Sequence, residues 1–174
     1  PRTIAPGEEV EIGNSGNKDP EEIACKTSVG LYLFEDNYPY RGDFDFNDAV
    51  VQYEIRDYYQ SKNRAKQITV QLMASGSHMS NSFGFRDSKG FQPFLSGLKG
   101  YRNVYAAQAF EPVGEPVVQT LYGDVVPWLK NESEYYIYPS SFNTAEYPSV
   151  LDIPVSDPDD ASWKFEWPQE MQSI

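Results

Sequence analysis

The chain has 174 residues, of which 40% are hydrophobic and 15% aromatic, so it can bury a sizeable single-domain core and is too aromatic for intrinsic disorder. Acidic residues outnumber basic ones by 26 to 14, and the net charge of −12 repels phosphate backbones, which argues against nucleic acid as a partner. The single cysteine excludes an intrachain disulfide. The chain contains no stretch of about 20 apolar residues, so the sequence predicts no transmembrane helix.

The N-terminal part of the chain differs in composition from the rest. Residues 1–27 are polar and rich in Gly, Asn and Glu, with a short β-like run at residues 9–12. We expect them to form an edge segment or linker, followed by one domain over residues 28–174. Residues 28–34 alternate bulky side chains on both faces and indicate the first strand of that domain.

Alternation with a period of two is clearest after the acidic loop. Over residues 49–59, apolar and polar side chains take turns, which places Ala49, Val51 and Tyr53 on one face of a half-buried strand. Next, the sequence predicts a polar turn at 61–65, a strand at 66–74, a small-residue turn at 75–80 and a strand at 81–86.

The C-terminal half gives weaker signals. Residues 91–110 contain several glycines and could hold a short helix, residues 115–122 could form a strand, and residues 128–139 carry a tyrosine cluster. Prolines over residues 148–158 indicate loop and edge strand, and residues 163–167 alternate once more. Short strands recur and long 3.6-residue periods are absent. The sequence therefore predicts an all-β fold, a jelly-roll-like two-sheet β-sandwich with at most one or two short helices.

The chemistry of the chain is concentrated in residues 34–51, which read FEDNYPYRGDFDFNDAVV. Calcium takes six to eight oxygen ligands from carboxylates, amides and carbonyls, and alternate side chains of a curled loop can converge on one ion. We expect Gly42 to supply the sharp turn and Asp43, Asp45 and Asp48 to point to a common centre. The predicted ligands of Ca²⁺ are Asp43, Asp45, Asn47, Asp48, Glu35 and Asp36.

Two other interpretations of the acidic loop are possible. An EF-hand would place its last ligand at Glu54, but the residues after the loop alternate as a strand, which carries Glu54 about 20 Å beyond Asp48 at 3.3 Å per residue. Turn capping stays open as the second interpretation, because Asp and Asn side chains commonly accept hydrogen bonds from nearby backbone N–H groups. Several acids in one loop would repel each other, however, unless a cation neutralises them.

At these residues the chain resembles the LruC-type domain, a family of unknown function in exported proteins of Bacteroides-group bacteria. The motif F-E-D followed by G-D-x-D-x-N-D-x-V-V is matched at residues 34–36 and 42–51, and N-G-F-G-F is matched at 81–85 with Ser82 replacing the first Gly. A third motif is loosely matched at 167–174. Family members usually continue beyond the position of Ile174, so we expect the last strand to be incomplete.

The resemblance implies an exported, β-rich domain, located outside the cytoplasm as a secreted, periplasmic or lipid-anchored outer-membrane protein. We expect a non-enzymatic, calcium-binding module of the cell surface, adhesive in role, with a surface glycan or a protein as its partner. The alternatives are a carbohydrate-binding module and, third, a glycoside hydrolase with a carboxylate pair. Candidate residues for an aromatic binding face flank the acidic loop and its strand: Tyr38, Tyr40, Tyr58 and Tyr59.

Overall fold

The computed structural model of the protein describes residues 24–43, 45–60, 63–100, 112–141 and 149–154. These residues form nine β-strands and no helix. In chain order the strands are β1 (Ala24–Phe34), β2 (Ala49–Gln60), β3 (Asn63–Ala74), β4 (Asn81–Asp87), β5 (Gly90–Leu98), β6 (Val113–Tyr122), β7 (Val126–Lys130), β8 (Tyr136–Ile137) and β9 (Val150–Pro154).

The strands are arranged in two antiparallel sheets. The first has five strands in the order β6-β3-β2-β1-β9, and the second has four in the order β5-β4-β7-β8. One buried cluster contains Val51 and Tyr53 from the first sheet and Phe83, Phe85 and Leu129 from the second, so the main core lies between the sheets. The predicted all-β, two-sheet sandwich is confirmed, and so is the face assigned to Val51 and Tyr53.

A second, smaller apolar cluster lies on the opposite face of the first sheet. It exists because β1 is bulky on both faces: Tyr32 and Phe34 point into the main core, whereas Leu31 and Leu33 point away from it. Phe46, in the connection between β1 and β2, is 2% exposed in this second cluster. The connection therefore folds back over the outer face of the sheet. The other buried members are Val50, Met73 and Ala74.

Several predicted boundaries needed correction. Strand β1 begins at Ala24, inside the segment expected to be a linker or edge, and β3 begins at Asn63, so the turn predicted at 61–65 was too long. The helix suggested within 91–110 is wrong for the part that the structure describes, because β5 occupies Gly90–Leu98. The β4–β5 pairing shifts register twice and Gly97 has a φ of 69°, and such bulges remove the regular alternation of a strand.

Other expectations for the C-terminal half can be compared only in part. The proline-rich segment does contain an edge strand, because β9 pairs with β1 at the margin of the first sheet. The runs at 9–12 and 163–167 lie outside the described residues. Within the described ranges, a helix of the length and apolarity needed to cross a membrane is not found.

Candidate metal centre

The acidic loop is held at both ends by one strand pair. Strands β1 and β2 are antiparallel neighbours, and Phe34 at the end of β1 pairs with Ala49 at the start of β2. The connection over residues 35–48 therefore leaves the sheet and returns to it at the same point. The Glu35 N–H donates to the Ser149 carbonyl at 3.1 Å, which extends the sheet alignment by one residue.

Three carboxylates of this loop converge. One oxygen each from Glu35, Asp43 and Asp45 can be chosen so that all three lie within 4.8 Å of one another. Calcium–oxygen distances are about 2.3–2.6 Å, so two ligands on opposite sides of one ion lie about 4.6–5.2 Å apart. The separation of these three oxygens is therefore small enough for a single calcium ion to contact them all.

Glu35 is the buried member of the three carboxylates, with 4% of its surface exposed. Its Oε1 accepts a hydrogen bond of 2.5 Å from the Phe46 N–H. Its Oε2 is also buried but has no hydrogen-bond partner among the described residues. A Cβ placed on Gly42 would lie 2.2 Å from that Oε2, so this oxygen faces the backbone directly before Asp43. A buried, unpaired carboxylate oxygen is costly, and this one belongs to a carboxylate that converges with those of Asp43 and Asp45.

The role predicted for Gly42 was wrong. Its φ is not in the left-handed region, so it does not provide a turn that other residues could not adopt. Instead, the missing side chain lets the Glu35 carboxylate lie against the backbone. Among the described residues of the loop, the left-handed one is Phe46, with a φ of 51°. That strained conformation turns the Phe46 ring toward the apolar cluster while its N–H reaches Glu35.

Asp36 and Asp48 lie outside the group of three and take part in a separate set of hydrogen bonds. The Asp36 N–H donates to Asp48 Oδ2 at 2.8 Å. The Asp36 carboxylate accepts hydrogen bonds from the Ser77 hydroxyl and, at 2.8 Å, from the Asn81 amide. Asn131 donates from its amide to the Asp36 carbonyl at 3.0 Å. This buried network connects the loop of the first sheet to β4 and to the end of β7 in the second sheet.

Asn47 lies next to the group of three and forms hydrogen bonds to one of its members, Asp45. Its backbone N–H donates to Asp45 Oδ1 at 3.3 Å, and its side-chain amide donates to Asp45 Oδ2. Its carbonyl accepts a hydrogen bond of 2.8 Å from the Gly76 N–H. A Cβ on Gly76 would lie 2.1 Å from Asn47 Oδ1, so the 75–80 turn packs tightly under this residue. Asp45 is thus a turn-capping residue as well as a member of the acidic group.

The electrostatics of the loop favour a proton or a cation at these acids. Burial, together with Asp48 and to a lesser extent Asp43 and Asp45, raises the pKa of Glu35 to about 9. Burial and the neighbouring Asp36 raise the pKa of Asp48 to about 8. The pKa of Asp45 is raised by burial and by Asp43. Without a cation, Glu35 therefore carries a proton at neutral pH.

Glu54 lies on β2, where its carboxylate accepts a 2.6 Å hydrogen bond and ion pair from Arg56. A strand follows the acidic loop, as the argument against an EF-hand required. The tyrosines near the loop whose side chains the structure describes differ in exposure. Tyr40 is 79% exposed, while Tyr38 is half-buried against Tyr135 with ring centroids 6.0 Å apart. Tyr58 is half-buried, and the side chain of Tyr59 lies outside the described residues.

Sequence reasoning missed three residues of the supporting network. Asn81 was noted only as part of the second LruC-like motif, and the structure brings that motif into contact with the first through its bond to Asp36. Asn131 stands in a glycosylation-type triplet, but it is 2% exposed and its Oδ1 accepts from the N–H groups of Ser133 and Tyr135. Ser77 gave no signal, because a serine in a small-residue turn is ordinary.

The structure therefore brings together the carboxylates of Glu35, Asp43 and Asp45 from the set of predicted ligands. It places Asn47 against Asp45, and it gives Asp36 and Asp48 hydrogen bonds that tie the loop to the rest of the sandwich. Comparisons of the chain with family models, curated proteins and solved structures gave no match.

Proposed function

We propose that the chain is a non-enzymatic β-sandwich module whose acidic loop is completed by a calcium ion bound to Glu35, Asp43 and Asp45. The observation that carries this proposal is the Glu35 Oε2 atom, which is buried without a partner on the carboxylate that converges with those of Asp43 and Asp45. A cation at this point would satisfy the buried oxygen and neutralise the like charges around it.

Calcium suits the site better than magnesium does. The three carboxylates offer hard oxygen ligands at different depths, with Glu35 buried, Asp45 half-buried and Asp43 exposed. Calcium accepts irregular arrangements of six to eight oxygens, and water can supply the remainder on the exposed side. Magnesium demands near-ideal octahedral geometry and dehydrates reluctantly. The proposed ion has a structural role, because it would neutralise a carboxylate, Glu35, that is buried within the fold.

The proposal includes a location outside the cytoplasm, at the surface of a bacterial cell, where calcium is abundant enough to occupy a site of modest affinity. Its support is the resemblance to the LruC-type domain at residues 34–36 and 42–51, and the contact between its first two motifs through Asp36 and Asn81. An adhesive module with a glycan or protein partner is the role that this location favours.

The test compares unfolding of the full chain in saturating calcium and in chelator. An ion at a hundredfold excess over its Kd stabilises the folded state by about 2.7 kcal/mol. Since each kcal/mol shifts the Tm of a domain of this size by about 2–4 °C, we expect a rise of about 5–10 °C. Magnesium at the same concentration is expected to give a smaller rise.

Two matched variants locate the effect. Glu35→Gln keeps the size of the side chain and removes the buried carboxylate, so it should abolish most of the calcium response. Glu115→Gln changes the net charge equally at an exposed position on β6 and should leave the response intact. Equal melting curves of the wild-type protein in calcium and in chelator would contradict the proposal and leave turn capping and interior hydrogen bonding as the role of these acids.

A further inference from the structure

A second polar cluster lies next to the three converging carboxylates. Its centre is the Asp36 carboxylate, which accepts hydrogen bonds from the Ser77 hydroxyl and, at 2.8 Å, from the Asn81 amide. The Asp36 N–H donates to Asp48 Oδ2 at 2.8 Å, so the two acids adjoin each other. We call these four residues the inter-sheet cluster, because both acids belong to the loop of the first sheet while Asn81 begins β4 of the second.

All members of the inter-sheet cluster are buried. The exposed fractions are 3% for Asp36, 8% for Asp48, 2% for Ser77 and 1% for Asn81. Within the described parts of the chain, no lysine or arginine forms an ion pair with either acid. Two buried carboxylates side by side are costly unless a positive charge compensates them.

One atom of the cluster has no partner. Asn81 Oδ1 is buried and accepts no hydrogen bond from the residues that the structure describes. The nitrogen of the same amide is bonded to Asp36, so this unpaired oxygen belongs to a group that lies against the carboxylate. A buried oxygen without a donor costs free energy, and a cation between it and the acids would satisfy it.

The spacing of these atoms suits a calcium ion. With calcium–oxygen distances of 2.3–2.6 Å, neighbouring oxygens in the plane of a pentagonal bipyramid lie about 2.7–3.1 Å apart. A half-turn of the Asn81 amide exchanges its two end atoms and places Oδ1 at the present site of the nitrogen, 2.8 Å from Asp36 Oδ2. Both oxygens can then contact one ion.

The Ser77 hydroxyl can join them without losing its own hydrogen bonds. Its oxygen lies 2.9 Å from the Met79 carbonyl, which can accept the hydroxyl proton in place of Asp36. It also accepts a hydrogen bond of 2.8 Å from the Met79 N–H, which fixes its position. The remaining lone pair of the hydroxyl is then available on the side of Asp36.

The charge of the loop also exceeds what one divalent cation balances. Residues 35–48 contain five acids and a single basic residue, Arg41. When all five acids are ionised, Arg41 and the calcium ion proposed at Glu35, Asp43 and Asp45 together offset three negative charges. A second divalent cation at the inter-sheet cluster would balance the other two.

We propose that the inter-sheet cluster binds a second calcium ion, with Asp36, Asp48, Ser77 and Asn81 as its protein ligands. This ion joins the two sheets, since it takes ligands from both. Its affinity is lower than that of the first ion, because it must replace the hydrogen bonds of Asp36 and turn the Asn81 amide. It is filled only at higher calcium concentration. The two sites share no ligand, so the two proposals can fail separately.

The experiment counts the calcium ions bound to the full chain. Calcium-depleted protein is dialysed to equilibrium against calcium chloride, up to millimolar concentration, at a physiological ionic strength that screens weak surface binding. Calorimetry then gives the two affinities. We expect two ions per chain, of which the second binds about tenfold or more weakly than the first.

Variants assign each ion to its site. Asp36→Asn should lose the second ion and keep the first, whereas Glu35→Gln should lose the first and keep the second. Asn81→Asp should tighten the second ion by about tenfold, because calcium affinity depends on the number of charged ligands. Asn37→Asp adds the same charge at an exposed position of the same loop, and it should leave the affinity of the second ion nearly unchanged.

The possible outcomes separate the two proposals. A single ion that is lost in Glu35→Gln would overturn the second site and leave the first in place. A single ion that is lost only in Asp36→Asn would support the inter-sheet site and contradict the first. Thermal unfolding in chelator shows which variants fold. If Asp36→Asn does not fold, a second ion whose affinity is unchanged in Asn81→Asp binds elsewhere, and the proposal is wrong. Absence of calcium binding would overturn both.

Discussion

Replacing Gly42 with alanine is the sharpest test of the metal centre, because it keeps every carboxylate and changes only where one of them can lie. The new Cβ would be 2.2 Å from Glu35 Oε2, whereas ordinary contacts begin near 3.4 Å, so this oxygen must retreat by about 1 Å. Calcium–oxygen bonds span only about 2.3–2.6 Å. A displacement of about 1 Å would therefore move Oε2 too far from the proposed ion to coordinate it.

The expected effect on calcium binding is large compared with the effect on folding. A tenfold loss in affinity corresponds to about 1.4 kcal/mol, which would reduce the calcium-induced rise in Tm by about 3–6 °C at fixed calcium. The backbone of Gly42 is outside the left-handed region, so alanine causes no backbone strain there. Alanine at such a position lowers the entropy of the unfolded chain and contributes about 0.4–1 kcal/mol of stability, which partly offsets the displacement of Glu35.

The assay is thermal unfolding and calcium calorimetry of Gly42→Ala, Glu35→Gln and the double variant. If the alanine acts through the Glu35 carboxylate, it should have no further effect on calcium binding once Glu35 is glutamine, and the two changes will be strongly non-additive. An unaltered calcium response in Gly42→Ala would refute the reasoning. Additive losses in the double variant would show that Gly42 acts by another route.

Two further predictions concern the protons and the packing of the loop. Glu35 has a pKa of about 9 in the folded state and about 4.5 in the unfolded state, so between these pH values only the folded state holds the proton. The Tm of calcium-depleted protein should therefore fall as the pH rises from about 5 to about 9. Over the same pH range, the rise in Tm on adding calcium should become larger. A Tm that rises with pH in calcium-depleted buffer would contradict this. Gly76→Ala would place a Cβ 2.1 Å from Asn47 Oδ1, and we expect the free energy of unfolding measured with denaturant to fall by about 1–3 kcal/mol. An unchanged free energy of unfolding would contradict this.

The strands and the acidic group could be predicted because their signals are local. Val51 and Tyr53 alternate with polar neighbours, and alternation on one strand determines which side chains face the core. Asp43 and Asp45 are two residues apart in a short connection, so their proximity follows from the chain itself. Glu35 was included because it directly precedes the loop, and the pairing of Phe34 with Ala49 brings it there.

The remaining features depend on contacts between distant parts of the chain. Asn131 lies 95 residues from Asp36, and no local pattern relates the two. The absence of a side chain at Gly42 matters because the Glu35 carboxylate lies against it, and the sequence does not reveal that contact. The bulges in the β4–β5 pair obscured a strand in a segment for which the sequence left a short helix open. The contact between the Phe91 and Tyr136 rings was missed for a similar reason, since the two residues become neighbours only through two intervening strands.

The loop is anchored from two sides before any ion binds, and this explains how like charges can be held so close together. On one side Phe46 is buried in the apolar cluster of the first sheet, and on the other Asp36 is bonded to Asn81 and Asn131 of the second. These contacts do not involve the Asp43 carboxylate or the free oxygen of Glu35. The geometry of the acidic group is therefore set by the fold, so a cation bound there would need only to replace the proton on Glu35 and would not have to order the loop.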